Sequence, residues 1–245
     1  MPDTSRPFLL ISTRPEDEAA AAELISFREK MELDDTGLIQ HRLESQPLND
    51  LNLDEWSGIL LGGSPFNASD AWKTPLQLRV EADLARLMNQ VIAEDFPMFG
   101  ACYGVGTVGT AIGANIDDTF GEKPRVIEVG LTEKGRKDPM LEGLPERFST
   151  MVGHKEAIAL LPAEAEVLVQ GEHCPIQMFR YLRNIYATQF HPELSPEAFA
   201  QRLRIYADAG YYEPGELSDI LATTRGVDLT VDDRVLLNFA RTYAR

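Results

Sequence analysis

The sequence has few cysteines, few basic residues and no long apolar runs, and each shortage excludes something. Two cysteines in 245 residues cannot build a disulfide framework, so a reducing compartment is expected. No stretch approaches the ~20 consecutive apolar residues that span a bilayer. The N-terminal run Phe8-Leu9-Leu10-Ile11 is only strand-sized, and no signal pattern surrounds it. A cytoplasmic location with no membrane partner is expected. Lys and Arg number 23 against 39 Asp and Glu, a net charge of −16, which opposes phosphate backbones and anionic lipids alike. Nucleic acid is therefore not an expected partner. His173 and Cys174 are adjacent, but no other His/Cys cluster completes a zinc site, so neither a metal nor a cofactor is expected.

What is present suits a large α/β domain with an ordinary apolar share of 44%. Pro7 to Thr13, Leu38 to Leu43, Ser57 to Leu61 and the run ending at Gly100 read as strands. Helical patterns lie between them: Pro15 to Phe27, with acids first and Arg28 and Lys30 last, and Thr74 to Glu94, with Leu76, Val80, Leu84 and Leu87 on one face. This alternation predicts a mostly parallel sheet covered by helices on both faces, a three-layer sandwich. After Gly113 come short strand-like runs at 125–131, 148–152, 165–169, 176–180 and 185–190, which predict an antiparallel edge. From Ser195 the chain is helical, opening on Ser195-Pro196-Glu197. The expected organisation is a domain over residues 1–194 with a helical extension, 195–245, packed on it.

The chemistry-bearing stretch is Phe96-Pro97-Met98-Phe99-Gly100-Ala101-Cys102-Tyr103-Gly104. An apolar strand, a cysteine flanked by glycines and a following helix form the pattern of a nucleophile elbow. A Cβ at either glycine would crowd the bend, which gives Gly100 and Gly104 a steric reason. The helix N-terminus favours thiolate at Cys102, and the Tyr103 N–H is placed to meet an oxyanion. A cysteine nucleophile needs a base and an acceptor orienting it. In Phe190-His191-Pro192-Glu193 a strand ends in a histidine held extended by proline. Glu193 follows two residues later on the same side, so His191 and Glu193 can fill both roles.

Together these two segments resemble the class I, triad-type glutamine amidotransferases, and most closely the amidotransferase domain of GMP synthetases and its free-standing relatives. The likeness runs from about Ile59 to Pro196. It also takes in Gly62-Gly63-Ser64-Pro65, Glu128-Val129-Gly130, Val152-Gly153-His154-Lys155-Glu156-Ala157-Ile158 and Cys174 to Arg180. It implies a flavodoxin-like fold in which Cys102 attacks the side-chain amide of glutamine. The oxyanion rests on the amides of Gly63 and Tyr103, and Gly62, Ser64, Gly106, Gly153 and His154 border the substrate. The implied partners are glutamine or a γ-glutamyl small molecule, with a separate synthetase or acceptor subunit taking the ammonia.

Two departures keep alternatives open. Where the family usually carries glutamine four residues after the cysteine, this chain has Gly106, which has no side-chain amide. No Ser-Gly-Gly motif of an ATP pyrophosphatase occurs either. A hydrolase of γ-glutamyl compounds and a non-catalytic amidotransferase-like protein are the resulting alternatives. Gly104-Val105-Gly106-Thr107-Val108-Gly109 also spells a dinucleotide-binding fingerprint, although no acid-ended strand follows about 20 residues on.

Overall fold

The computed structural model describes residues 5–213 and 215–245. Its strands are β1 Phe8–Ser12, β2 Leu38–Arg42, β3 Gly58–Leu61, β4 Met98–Ala101, β5 Asn115–Asp117, β6 Glu122–Leu131, β7 Arg147–His154, β8 Ala157–Leu160, β9 Ala165–Gly171, β10 Met178–Tyr181 and β11 Ile185–Thr188. Its helices are α1 Asp17–Met31, α2 Pro75–Glu94, α3 Tyr103–Ala111, α4 Pro196–Ile205, α5 Leu217–Ala222 and α6 Asp233–Tyr243.

Nine strands form one sheet in the order β2-β1-β3-β4-β11-β10-β9-β6-β7. From β2 to β11 neighbours are parallel, and from β11 to β7 they are antiparallel. The predicted α/β class, with a parallel region and an antiparallel edge, is the one observed. β5 and β8 form a separate two-stranded ribbon that the sequence pattern did not announce. Each is too short to show alternation.

The parallel strands are buried on both faces, which is why they read as unbroken apolar runs. Side-chain alternation divides those runs between two cores. Phe8, Leu10, Leu60 and Phe99 pack with α1 and α6 through Phe27, Met31, Leu236 and Phe239. Leu9, Ile11, Ile59, Leu61 and Met98 pack with α2 and α3 through Val80, Leu84, Leu87, Val105 and Val108. Each fully buried side chain of this kind contributes about 1.5–3 kcal/mol. A smaller core joins Leu194, Phe199, Leu203, Tyr212, Ile220 and Leu229 to Met151 of β7, seating α4 and α5 beside the ends of the strands.

Local signals set the helix starts. Thr74 accepts from the Gln77 N–H with Pro75 first in α2. Ser195 accepts from Ala198 with Pro196 first in α4. α1 begins at Asp17 rather than at Pro15: Pro15 closes the approach, and the two acids Asp17 and Glu18 open the helix, where its dipole favours them.

Candidate active site

Four adjacent parallel strands bring the relevant residues to one crevice at their C-terminal ends, the usual ligand position in open α/β sheets. Arg14 follows β1, Gly62 and Gly63 follow β3, Cys102 follows β4 and His191 follows β11. β4 and β11 are in register with Ala101 opposite Thr188. The Cys102 N–H donates to the Thr188 carbonyl at 2.7 Å, which fixes the two strand ends together.

Cys102 has φ 54° and ψ −91°. This non-glycine residue at positive φ stores about 1–3 kcal/mol of strain. The bend needs Gly100, whose added Cβ would lie 2.8 Å from the Gly104 Cα. Gly104 differs from expectation: its Cβ would meet the Leu61 carbonyl at 3.5 Å and the Leu61 Cβ at 3.9 Å, ordinary contacts. The crowding is therefore one-sided, because Gly100 faces backbone that cannot yield. Cys102 is a partly exposed residue, whereas Cys174 is buried and its thiol is pushed up to about 12 by burial.

The two N–H groups expected to meet an oxyanion have no hydrogen-bond acceptor among the described residues. Gly63 lies just past β3, and Tyr103 is the first residue of α3, where helical N–H groups have no intrahelical partner. An added Cβ on Gly63 would stand 2.5 Å from Arg14 Nη2 and 3.4 Å from His191 Cε1.

His191 is 5% exposed, and its Nδ1 lies 2.8 Å from Glu193 Oε1. Burial by itself would lower the imidazole. The charges of Glu193 and then Cys102, with hydrogen bonding to both, outweigh burial and raise it to about 9. Burial would push Glu193 up, but His191 and Arg202 reverse this and hold it well below the usual carboxylate range. Arg202 Nη1 donates to the same Oε1 at 2.8 Å, while Glu193 Oε2 is buried without a partner. The result is a chain of alternating charge, Arg202–Glu193–His191, ending at the sulfur.

Two chambers meet at Cys102. One, of about 20 Å³, is lined by Ser64, Asn67, Gly106, His154, Glu156 and Gln189 among others. The other, of about 50 Å³, contains His191 with Arg14, Gly63, Ser64, Gly153, Arg202 and a mostly apolar wall from α4 and the segment after it. The expected residues occupy these places unequally. Gly62 faces away from the chambers, its Cβ direction filled by the Glu23 carboxylate. Ser64 turns its hydroxyl to accept from the Phe66 N–H at 3.1 Å. His154 has both ring nitrogens engaged, Nδ1 with the Glu156 carbonyl at 2.9 Å and Nε2 with Glu122 at 3.1 Å, which leaves no polar ring atom for a ligand.

Gly106 has a physical reason to be glycine. Its Cβ would come 2.8 Å from Glu156 Oε1 and 3.2 Å from the Ala68 Cβ. The Glu156 carboxylate fills that space and pins the 66–70 loop, accepting from Ala68 at 2.8 Å and Ser69 at 2.7 Å. Gly109, the last glycine of the G-x-G-x-x-G string, packs against Ile116 and Ile158, so it has a packing role.

The structure also brings to the crevice Arg14, Arg202 and Glu156, to which the sequence assigned no role, and Gln189, which the sequence suggested was structural. Gln189 Oε1 is buried without a partner in the smaller chamber. Nothing local marks Arg14 and Arg202, which reach the crevice by packing, whereas Glu156 lies in the family-like 152–158 segment and Gln189 two residues before His191. Among the described residues, one group could offer ligand atoms to a metal, Glu122, His154 and Cys174, within 4.8 Å of one another. Their chemistry does not suit one. Glu122 already accepts from Gln177 at 2.7 Å and from Arg125 at 3.1 Å, and burial opposes the thiolate that a metal would need. No described helix is long and apolar enough to cross a membrane.

Comparison with known proteins places this crevice in a wider context. A family model described as glutamine amidotransferase class-I matches residues 31–204. One subunit of the GMP synthase (glutamine-hydrolyzing) of Pyrococcus abyssi is 26% identical over 150 residues, 61% of this chain and 72% of that protein. The corresponding subunit from Thermoplasma volcanium is 26% identical over 173 residues, 69% of this chain and 76% of that protein. A GMP synthase of Thermosipho melanesiensis is 27% identical over 152 residues, 60% of this chain, but the match spans only 26% of that longer protein. Among solved structures, a glutamine amidotransferase from Thermotoga maritima superposes with a TM-score of 0.76 at 20% identity, covering 98% of this chain and 99% of that one.

Proposed function

The chain belongs to the class I glutamine amidotransferases, and from that premise we propose that it hydrolyses the side-chain amide of glutamine through Cys102, His191 and Glu193. The observation that carries this reading is the charge-coupled arrangement of a partly exposed cysteine, an imidazole raised to about 9 and a buried carboxylate 2.8 Å from its Nδ1.

The Cys102 thiolate attacks the amide carbon, and the oxyanion takes the unpaired N–H groups of Gly63 and Tyr103. The His191 imidazolium gives its proton to the nitrogen, the C–N bond breaks, and ammonia leaves a glutamyl thioester. His191 then takes a proton from water, whose oxygen attacks the thioester. The C–S bond breaks to release glutamate and restore the thiolate. The glutamyl chain occupies the smaller chamber. At about 20 Å³ that chamber holds one or two water-sized groups at most, taking about 10–15 Å³ for each. Substrate entry therefore requires the loop pinned by Glu156 to yield. Gln189 Oε1, buried and unpartnered there, is the acceptor for the substrate ammonium in place of the side chain that Gly106 lacks. Ammonia passes to a separate synthetase subunit, the kind of partner suggested by those relatives that are single subunits of GMP synthases.

The test is glutamate release from glutamine by the purified protein, with capture of the acyl-enzyme by mass spectrometry. Cys102→Ala should lose both signals and Glu193→Gln should weaken both. Release that persists in Cys102→Ala would refute the assignment.

A further inference from the structure

The larger chamber holds a cation that glutamine hydrolysis does not use. The Arg14 side chain is 3% exposed and tied on two sides. Its Nε donates to Glu23 Oε1 at 2.8 Å and its Nη1 to the Tyr206 hydroxyl at 3.2 Å. These partners are themselves held. Ser12 donates to the other Glu23 oxygen at 2.8 Å, and Tyr206 donates to Glu16 at 2.8 Å. Nη2 has no hydrogen-bond partner among the described residues and lies against Gly63, with His191 on the same chamber wall. A rigidly mounted guanidinium edge with unspent N–H groups matches a carboxylate.

Its position relative to His191 says which part of a substrate would carry that carboxylate. The leaving nitrogen must receive its proton from His191, and His191 lines the chamber of Arg14 but not the smaller one. The leaving group therefore departs on the Arg14 side. Ammonia makes no use of a cation or of the apolar wall formed by Leu194, Phe199 and Leu203. We propose that this chamber is a leaving-group subsite for small α-amino acids, so that the site also cleaves γ-glutamyl amino acids. The departing residue sets its carboxylate on Arg14 Nη2 and its side chain against the apolar wall. About 50 Å³ admits about four water-sized groups, enough for the methyl and carboxylate of alanine.

The reaction rests on the mechanism proposed above and needs only water. The thiolate attacks the γ-carbonyl carbon, His191 protonates the amide nitrogen and the C–N bond breaks to free the amino acid. Water then releases glutamate from the thioester with His191 as base.

Three substrates separate the two readings: glutamine, γ-glutamyl-alanine, and γ-glutamyl-ethylamide, which lacks only the carboxylate of the alanine compound. The expected result is a kcat/KM at least tenfold higher for γ-glutamyl-alanine than for the ethylamide. In Arg14→Lys, which keeps the charge beside Glu23 but loses the planar fork, that ratio should collapse towards one. A ratio between two substrates of one variant is insensitive to partial unfolding. Equal rates for the pair in the native protein, or a ratio unchanged by Arg14→Lys, would overturn the subsite while leaving glutamine hydrolysis standing. No glutamate from any of the three would overturn the underlying mechanism instead.

Discussion

Replacing Glu193 with glutamine removes one negative charge from a buried pair and leaves its shape. His191 rises from 6.5 to about 9, a preference for the imidazolium of about 3 kcal/mol at 1.36 kcal/mol per pH unit. Glu193 is the largest favourable contributor and Cys102 the next. Without the carboxylate, the pH at which His191 loses its proton should fall by about one to two units, and the alkaline limb of kcat/KM should move down with it. Arg202 Nη1 and His191 Nδ1 both reach Oε1 at 2.8 Å. They hold the carbonyl oxygen of the new amide at that position, so the ring keeps its orientation. The loss at the optimum is then about ten- to a hundredfold rather than complete. The amide NH₂ falls where Oε2 is buried without a partner, an unmet donor costing about 1–3 kcal/mol of stability. Glutamate release followed from about pH 6 to pH 10 reads the limb directly. Arg202→Met supplies the opposite sign: removing a cation beside Glu193 should move the limb upward. A limb that stays in place in Glu193→Gln, or moves the same way in both variants, would refute the charge chain.

Three further outcomes can be checked independently. Gly100→Ala puts a methyl 2.8 Å from the Gly104 backbone and should cost about 1–3 kcal/mol in urea denaturation, whereas Gly104→Ala, at 3.5 Å from its nearest neighbour, should be tolerated; equal losses would contradict the one-sided bend. Gly106→Ala puts a methyl 2.8 Å from Glu156 Oε1 and 3.2 Å from the Ala68 Cβ, displacing the carboxylate that holds the 66–70 loop, so it should raise the KM for glutamine severalfold and lower the melting temperature. Burial holds Asp232 well above the usual carboxylate range, although Thr150 donates to it at 2.6 Å. A carboxyl raised in the folded state contributes fully only below its unfolded value of about 3.9 and loses that contribution as pH rises. Asp232→Asn should therefore raise the melting temperature at neutral pH, with the gain vanishing near pH 4.

Features written in consecutive residues were legible in the sequence alone. Thr74-Pro75 and Ser195-Pro196 mark helix starts because capping is settled within four residues. The strand–cysteine–helix corner was legible for the same reason, as was the apolar character of β1, β3 and β4, which follows from burial on both faces. The ribbon of β5 and β8 was not, because strands of three and four residues are too short for a period to emerge. The tail read as helical, but nothing in it said that Phe239 would pack at a tilt on Phe8 and edge-on to Phe99 in the main core or that Arg202 would reach Glu193.

By itself, then, the sequence determined the α/β class, the elbow with its Cys102, and the His191–Glu193 pair as candidates, each through interactions between near neighbours. Only the tertiary structure decided what surrounds them: Arg14 beside Gly63, Arg202 on Glu193, Glu156 over Gly106, and two chambers that share Cys102, Ser64 and Tyr211. Most of those relations join segments far apart in the chain, and even Arg202 reaches Glu193 only through the seating of α4. Their energies come from desolvation and from charges a few ångströms apart, and both depend on packing that no local pattern specifies.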